Sequence, residues 1–271
     1  MSFGDAPGAT PLGQPFRHLG AGVRAVVTGR VGGTSEGPYA SLNLGYHVGD
    51  RSEAVAANRE RVCGWLGIEA LTVADNVHGA GVAVITDDLV GAGHASDSDA
   101  KDRLGGIDGL VTDRIGVALT ILVADCQPIV LWDPVCQALG VAHAGRGGTV
   151  EGIVPAVLEQ LTSSFGTDPA DLRVGIGPHI GARSYEVGPA EVAEFTAVFG
   201  ADLVHPTREG RGRLDLEGAV RRQLDRLGVP TSAVESFEID TRTSTDRYFS
   251  DRAARPCGRF GLVAVIDPPA P

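Results

Sequence analysis

GVALTILVADCQPIVLWD, residues 116 to 133, decides how this chain is read. The run is apolar over most of its length and rich in Val and Ile, a content that suits β-structure better than a helix. Asp125 and Cys126 interrupt it. An unpaired carboxylate is costly to bury, so Asp125 reads either as a salt-bridged structural residue or as a group that orients a metal-ligand histidine. Cys126 reads either as a small buried hydrophobe or as a thiolate ligand.

Outward from this run, other strands and helices alternate without a strict period. VRAVVTGRV (Val23 to Val31), ALGVAHA, LRVGIGPHIG, AVESFEI and GRFGLVAVI read as strands. LTVADNVHGAGVAVI reads as two β-like runs interrupted at His78 and Gly79. SEAVAANRERVCGWLG (Ser52 to Gly67) reads as a helix with Val55, Val62 and Leu66 on one face and a glycine stop; AEVAEFTAVFG and LEGAVRRQLDRLG are also helical. GRGGTVEGIVPAVLEQLTSSFG turns through glycines into a helix with Thr149 as its candidate N-cap. The mixture predicts an α/β fold of α+β character, a layered sandwich with mixed β-sheets inside and helices outside.

With 271 residues, 43% of them hydrophobic, the chain is long enough for a large core, and with no Ser-rich or charge-rich linker to divide it we expect one domain over 21–267. The longest polar stretch, GHASDSDAKDRLGG (Gly93 to Gly106), reads as a loop, and residues 1–20 and the terminal DPPAP are expected to fray. A net charge of −11 argues against nucleic acid and anionic membranes as partners. No basic segment precedes an apolar run at the N-terminus and no run approaches the ~18 apolar residues of a membrane helix, which predicts a cytoplasmic protein. The four scattered cysteines fit reduced thiols, leaving a free thiolate available to a metal.

Three segments each hold one zinc-type ligand: NVHGAGV with His78, ADCQP with Cys126 and AHAGRGG with His143. Imidazole and thiolate suit zinc, and three protein ligands leave the fourth tetrahedral position open, as in catalytic sites. The ligands stand 48 and 17 residues apart, unlike the tight pairs of structural zinc. His47, His179 and His205 read as turn residues, and His94 with Asp97 and Asp99 as a solvated acidic loop.

The wording of these segments is similar, nearly end to end, to the YfiH-like family, known as laccase-domain or multicopper polyphenol oxidoreductase proteins and also as purine nucleoside enzymes. The likeness runs from TGRVGGTSEGPYASLNLGYHVGD (Thr28 to Asp50) through NRERV, VHG, DGLVTDRIGVALTILVADCQP, GVAHAGRGG and GIGPHIGARSYEVG to YFSDR and CGRFG. It implies a zinc site at His78, Cys126 and His143, helices outside β-sheets, phosphorolysis of adenosine, inosine or methylthioadenosine, and deamination of adenosine. The chain departs from the family's usual wording where HAGRGG puts Arg146 in an aromatic's place and Gly147 in a basic residue's. Further departures are Arg183 and Ser184 for paired cysteines, Asp240 and Thr241 for CysThr, and Asp251 for Tyr.

For the chemistry itself, Asp125 is the catalytic candidate, and Asn43, Arg59 and the GRGG turn are candidates for ribose and phosphate contacts. Arg59 also reads as a plain helix arginine and Asn43 as a turn residue. The turn is not a P-loop, since Lys and spacing are missing. Three other functions compete. A copper-dependent phenol oxidase fits the ligand types, but seven histidines without an HxH pair are few for a multicopper centre. A hydrolase editing a cell-wall precursor would use Cys126 as nucleophile or zinc. A metal-stabilised binding module would need a closed ligand shell, for which no fourth ligand stands out.

Overall fold

The structure, a computed structural model, describes residues 12–269. The deciding run splits into two strands, Ala118–Val123 and Gln127–Asp133, that belong to different sheets. The first lies in a five-stranded sheet, in the order Gly13–Pro15, Val23–Thr28, Phe260–Ile266, Ala118–Val123, Leu71–Val73. The second lies in a six-stranded sheet, in the order Val234–Ser236, Arg173–Ile176, Gln127–Asp133, Ala138–Ala144, Gly109–Thr112, Val82–Val84. Each sheet mixes parallel and antiparallel pairs.

Both faces of each central strand are buried, which is why the run reads as continuously apolar. Leu119, Ile121 and Val123 point into a core shared with Val130, Trp132, Leu139 and Val141 of the other sheet. Ala118 and Leu122 face the opposite way, onto Val62, Cys63 and Leu66 of the helix Ser52–Leu66. Ile129 and Leu131 face outward onto the helices Ile153–Phe165 and Leu216–Arg226. The predicted sandwich is therefore the one observed: helix, sheet, sheet, helix. A three-stranded sheet (Glu186–Val187, Gly212–Leu214, Val204–Pro206) packs with the helix Pro189–Phe199 around Phe195 and Phe199.

Several expectations are corrected. Of the segment 1–20, residues 1–11 lie outside the described part, but from Leu12 the chain is ordered: Gly13–Pro15 pairs with Val26–Thr28, and Phe16 and Leu19 are buried. Of the terminal DPPAP, residues 270 and 271 likewise lie outside the described part. Gly93–Gly106 is not a plain loop. It contains the helix Asp97–Leu104, capped by the Ser96 hydroxyl accepting from the Asp99 N–H and laced by Asp97–Lys101 and Asp99–Arg103 pairs, while Ala100 and Leu104 supply its buried side. The helix after GRGG starts earlier than Thr149: Arg146–Glu151 is capped at Gly145, and Gly152, at φ 90°, turns the chain into Ile153–Phe165. The first strand ends at Thr28 rather than Val31, and AVESFEI keeps only Val234–Ser236 as strand.

Candidate metal centre and active-site cavity

Cys126 stands where the chain crosses from one sheet to the other. The turn is made by Asp125 at φ 91°, a left-handed conformation that a non-glycine residue adopts only when its surroundings hold it there. Strand register then supplies the neighbours. Gln127 pairs with Ala144, so Cys126 lies against the residue after that pair, Gly145. Gly109 pairs with Ala142, which sets Asp108 beside His143. Val82 pairs with Gly109, and the loop leading into that strand carries His78, itself at φ 65°. Positions far apart in sequence thus meet at one end of the six-stranded sheet.

The ligand-type atoms of His78, Cys126 and His143 all lie within 4.8 Å of one another. Among the described residues no other trio of such side chains gathers in this way. His143 is buried, Cys126 half-buried and His78 exposed toward the cavity. His143 Nδ1 lies 2.7 Å from Asp108 Oδ1, which leaves Nε2 free for an ion. Asp108 also accepts from the backbone N–H groups of Val77 at 3.2 Å, His78 at 3.0 Å and Gly79 at 2.8 Å. One buried carboxylate thereby fixes both histidine-bearing segments. Burial pushes the Asp108 carboxyl up, but the His143 ring and these N–H donors outweigh it, and the group stays below the ordinary carboxylate range.

Desolvation also opposes charge on Cys126 and His143, and their mutual attraction wins. Cys126 is drawn down to about 6 by the two imidazoles, and His143 is drawn up to about 9 by the thiolate and Asp108. Without a metal the pair is a thiolate beside an imidazolium. Two nitrogens, one thiolate and an open side are a donor set that suits a single tetrahedral ion.

The glycines of AHAGRGG have steric reasons. A Cβ on Gly145 would lie 2.9 Å from both Cys126 Sγ and His78 Cδ2, and one on Gly147 would lie 2.8 Å from the His78 carbonyl oxygen. The backbone of this turn closes directly over the ligand side chains.

A cavity of about 620 Å³ opens above the three residues, within the ~300–1,000 Å³ typical of small-molecule sites. Asp125 forms part of its wall but does not bond either histidine. Its Oδ1 accepts from the Thr241 hydroxyl at 2.6 Å and its Oδ2 from the Arg252 N–H at 2.7 Å. Of the two readings open for Asp125, the orienting of a histidine falls to Asp108 instead, and Asp125 holds the turn through Thr241 and Arg252. The signal was present: Asp108, like Asp125, is an acid next to an apolar strand.

Asn43 lies outside the cavity wall. Its amide bonds Gly45 O and Asp50, and its Oδ1 accepts from the Gly45 and Arg259 N–H groups. Arg59 reaches the wall, but its guanidinium is committed to the carbonyls of Leu44, Gly93 and His94 and stacks over Tyr46. Burial pushes it down to about 10. Arg146 pairs with Glu194 on the helix Pro189–Phe199. Sequence reading missed Asp108, Gly145, Tyr185 and the cavity arginines Arg252, Arg255 and Arg259.

A two-sheet sandwich with an open pair of imidazoles and a thiolate at its seam defines a protein able to hold one metal ion beneath a substrate-sized cavity. The chain belongs to the multi-copper polyphenol oxidoreductase laccase family, whose model matches residues 24–267. It is 41% identical over 243 residues to a purine nucleoside phosphorylase of Streptomyces coelicolor, covering 89% of this chain and 94% of that protein. It is 37% identical over 240 residues to the purine nucleoside phosphorylase YlmD of Geobacillus stearothermophilus, covering 87% and 86%. The crystal structure of YlmD superposes with a TM-score of 0.87 at 35% identity over 93% of this chain and 94% of that one. That of a Bacillus licheniformis hypothetical protein, YfiH, gives 0.86 at 31% identity over 90% and 93%.

Proposed function

We propose that this protein is a zinc-dependent purine nucleoside enzyme that phosphorolyses adenosine, inosine or methylthioadenosine and deaminates adenosine. The observation that carries the reading is the coincidence of the His78, Cys126 and His143 cluster with a cavity, in a chain whose relatives are named purine nucleoside phosphorylases. When bound, zinc supplies Lewis acidity and lowers the pKa of water in the site toward ~7. The protein's own part is to hold His143 by Asp108, to keep Cys126 as thiolate and to wall the substrate from bulk water. Asp125 acts by positioning, tying the Cys126 turn to Thr241 and Arg252. Phosphorolysis bonds a phosphate oxygen to ribose C1′ as the C1′–N9 bond breaks and its electron pair leaves with the base. That step calls for cationic or N–H contacts around phosphate. No helix among the described residues is long and apolar enough to cross a membrane, and a reduced thiolate ligand agrees with a cytoplasmic setting.

A second reading has its own support. Cys126, His143 and Asp108 are arranged as nucleophile, base and orienting acid, the pattern of a cysteine hydrolase, for which a cell-wall precursor is the candidate substrate. Copper in place of zinc suits the same donors, and the phenol-oxidase reading ranks below both. Metal content and product analysis from adenosine, with and without phosphate, for wild type and Cys126→Ala, test the proposal. Zinc near one per chain, with inosine or adenine formed only by wild type, supports it. Bound zinc with adenosine and inosine both untouched refutes it. Thiol alkylation that zinc does not block turns the case toward the nucleophile.

A further inference from the structure

The chain is acidic overall, yet one rim of the cavity is not. Arg252, Arg255 and Arg259, from the segment that runs from Ser250 into the last strand, all line it. Arg255 and Arg259 share a single carboxylate. Asp251 Oδ2 accepts from Arg255 Nε at 2.7 Å, and Asp251 Oδ1 lies 3.7 Å from Arg259. Arg252 has no ion pair among the described residues. Its guanidinium donates to the Glu186 carbonyl at 2.7 Å and lies 5.1 Å from the centre of the Tyr185 ring. Three guanidinium groups against one carboxylate give the segment 250–259 a net charge of about +2, a local inversion of the chain's −11 on a wall that elsewhere carries Asp75, Asp97 and Asp125.

Backbone anchors fix the rim. The Arg252 N–H is held by Asp125, next to Cys126, and the Arg259 N–H by the buried Asn43 at 2.8 Å. Of the other two arginines of the wall, Arg59 is buried and turns Nε and Nη1 to the carbonyls of Leu44, Gly93 and His94, and Arg146 pairs with Glu194.

We propose that Arg252, Arg255 and Arg259 form a phosphate subsite, with Asp251 as the internal counter-ion that a phosphate dianion displaces. Guanidinium forks match phosphate oxygens in spacing and charge, and the Asp251 carboxylate holds two of the forks at the cavity edge before the ligand arrives. The dianion has two sources, free orthophosphate acting as co-substrate or the 5′-phosphate of a nucleotide. The proposal rests on the nucleoside reading for what the phosphate does, but not for whether it binds.

Opposite signs at two neighbouring positions test it. Arg255 has a side chain 74% exposed, so Arg255→Gln removes a donor without disturbing the core; Asp251→Asn removes the competitor. Orthophosphate binding to the metal-loaded protein, measured by calorimetry at fixed ionic strength, is expected to weaken about five- to tenfold in R255Q and to tighten several-fold in D251N. A purely structural role would weaken both. Where nucleosides are turned over, KM for phosphate follows the same two directions and KM for the nucleoside stays put, which assigns the dianion to orthophosphate. If instead adenosine 5′-monophosphate is preferred over adenosine and the preference vanishes in R255Q, the 5′-phosphate is the occupant. Orthophosphate that binds wild type, R255Q and D251N alike, or binds none of them, overturns the subsite. Opposed shifts in a protein that turns over no nucleoside keep the subsite and remove the nucleoside reading.

Discussion

One methyl group at Gly145 puts the metal centre to a direct test. Gly145 has φ −75° and ψ 175°, extended backbone that alanine adopts without cost, so Gly145→Ala acts through its Cβ alone. That atom would lie 2.9 Å from Cys126 Sγ and 2.9 Å from His78 Cδ2. Comfortable separations are ~3.5–4.0 Å, so both side chains must retreat by roughly 0.6–1 Å. Metal–ligand distances tolerate only about ±0.2 Å. Overpacking of this kind costs ~1–3 kcal/mol, which is about a 5- to 150-fold loss of metal affinity. The metal-free protein is affected less, because the exposed His78 is able to swing into the cavity when nothing holds it. Zinc competition against a chromophoric chelator at one pH, with thermal denaturation of the metal-free forms alongside, measures both quantities. Wild-type zinc affinity in G145A would refute the reasoning, since two of the three proposed ligands could not then both be in place.

Asp108→Asn keeps the shape but turns an amide N–H toward groups that are themselves donors. Zinc affinity is expected to fall ~10- to 100-fold, and stability in urea by roughly 3 kcal/mol, with the loss shrinking at acid pH as wild-type Asp108 itself takes up a proton. Zinc binding is expected to release protons in a pattern set by the raised His143 and lowered Cys126. About one proton, from His143, leaves between pH 6 and 9, and the Cys126 thiol adds another below 6, so affinity climbs roughly tenfold per pH unit between 6 and 9, more steeply below 6, and levels above 9; dye-monitored titration in weak buffer reads this directly. In the metal-free fold the signs differ by group: the stabilisation from protonated His143 is lost as pH rises through about 9, and that from the Cys126 thiolate is lost as pH falls through about 6. Arg59→Ala strands the carbonyls of Leu44, Gly93 and His94, and is expected to cost about 3–5 kcal/mol of stability while zinc stoichiometry stays at the wild-type value; a loss of zinc with unchanged stability would contradict the structural role.

Burial pattern was the legible part of this fold. The run 116–133 announced strands buried on both faces, and the helix Ser52–Leu66 places Val55, Val62 and Leu66 inward as its spacing predicts. The helix Asp97–Leu104 was hidden because it buries only Ala100 and Leu104, too few apolar positions to show a period above the polar residues around them. For the site, residue type was informative and partnership was not. The three ligand candidates come together, but which acid serves them depends on strand register, and register leaves no local trace when both faces of every strand are apolar. Asp125 and Asp108 carry the same signal, an acid beside an apolar run. What separates them is the left-handed turn at Asp125, which sends its carboxylate to Thr241 and Arg252, whereas Asp108 enters its strand opposite His143. The same turn lets one chain leave the first sheet and present Cys126 to the second. The strained backbone and the position of the thiolate are therefore one feature, and any change that relaxes the turn moves the ligand with it.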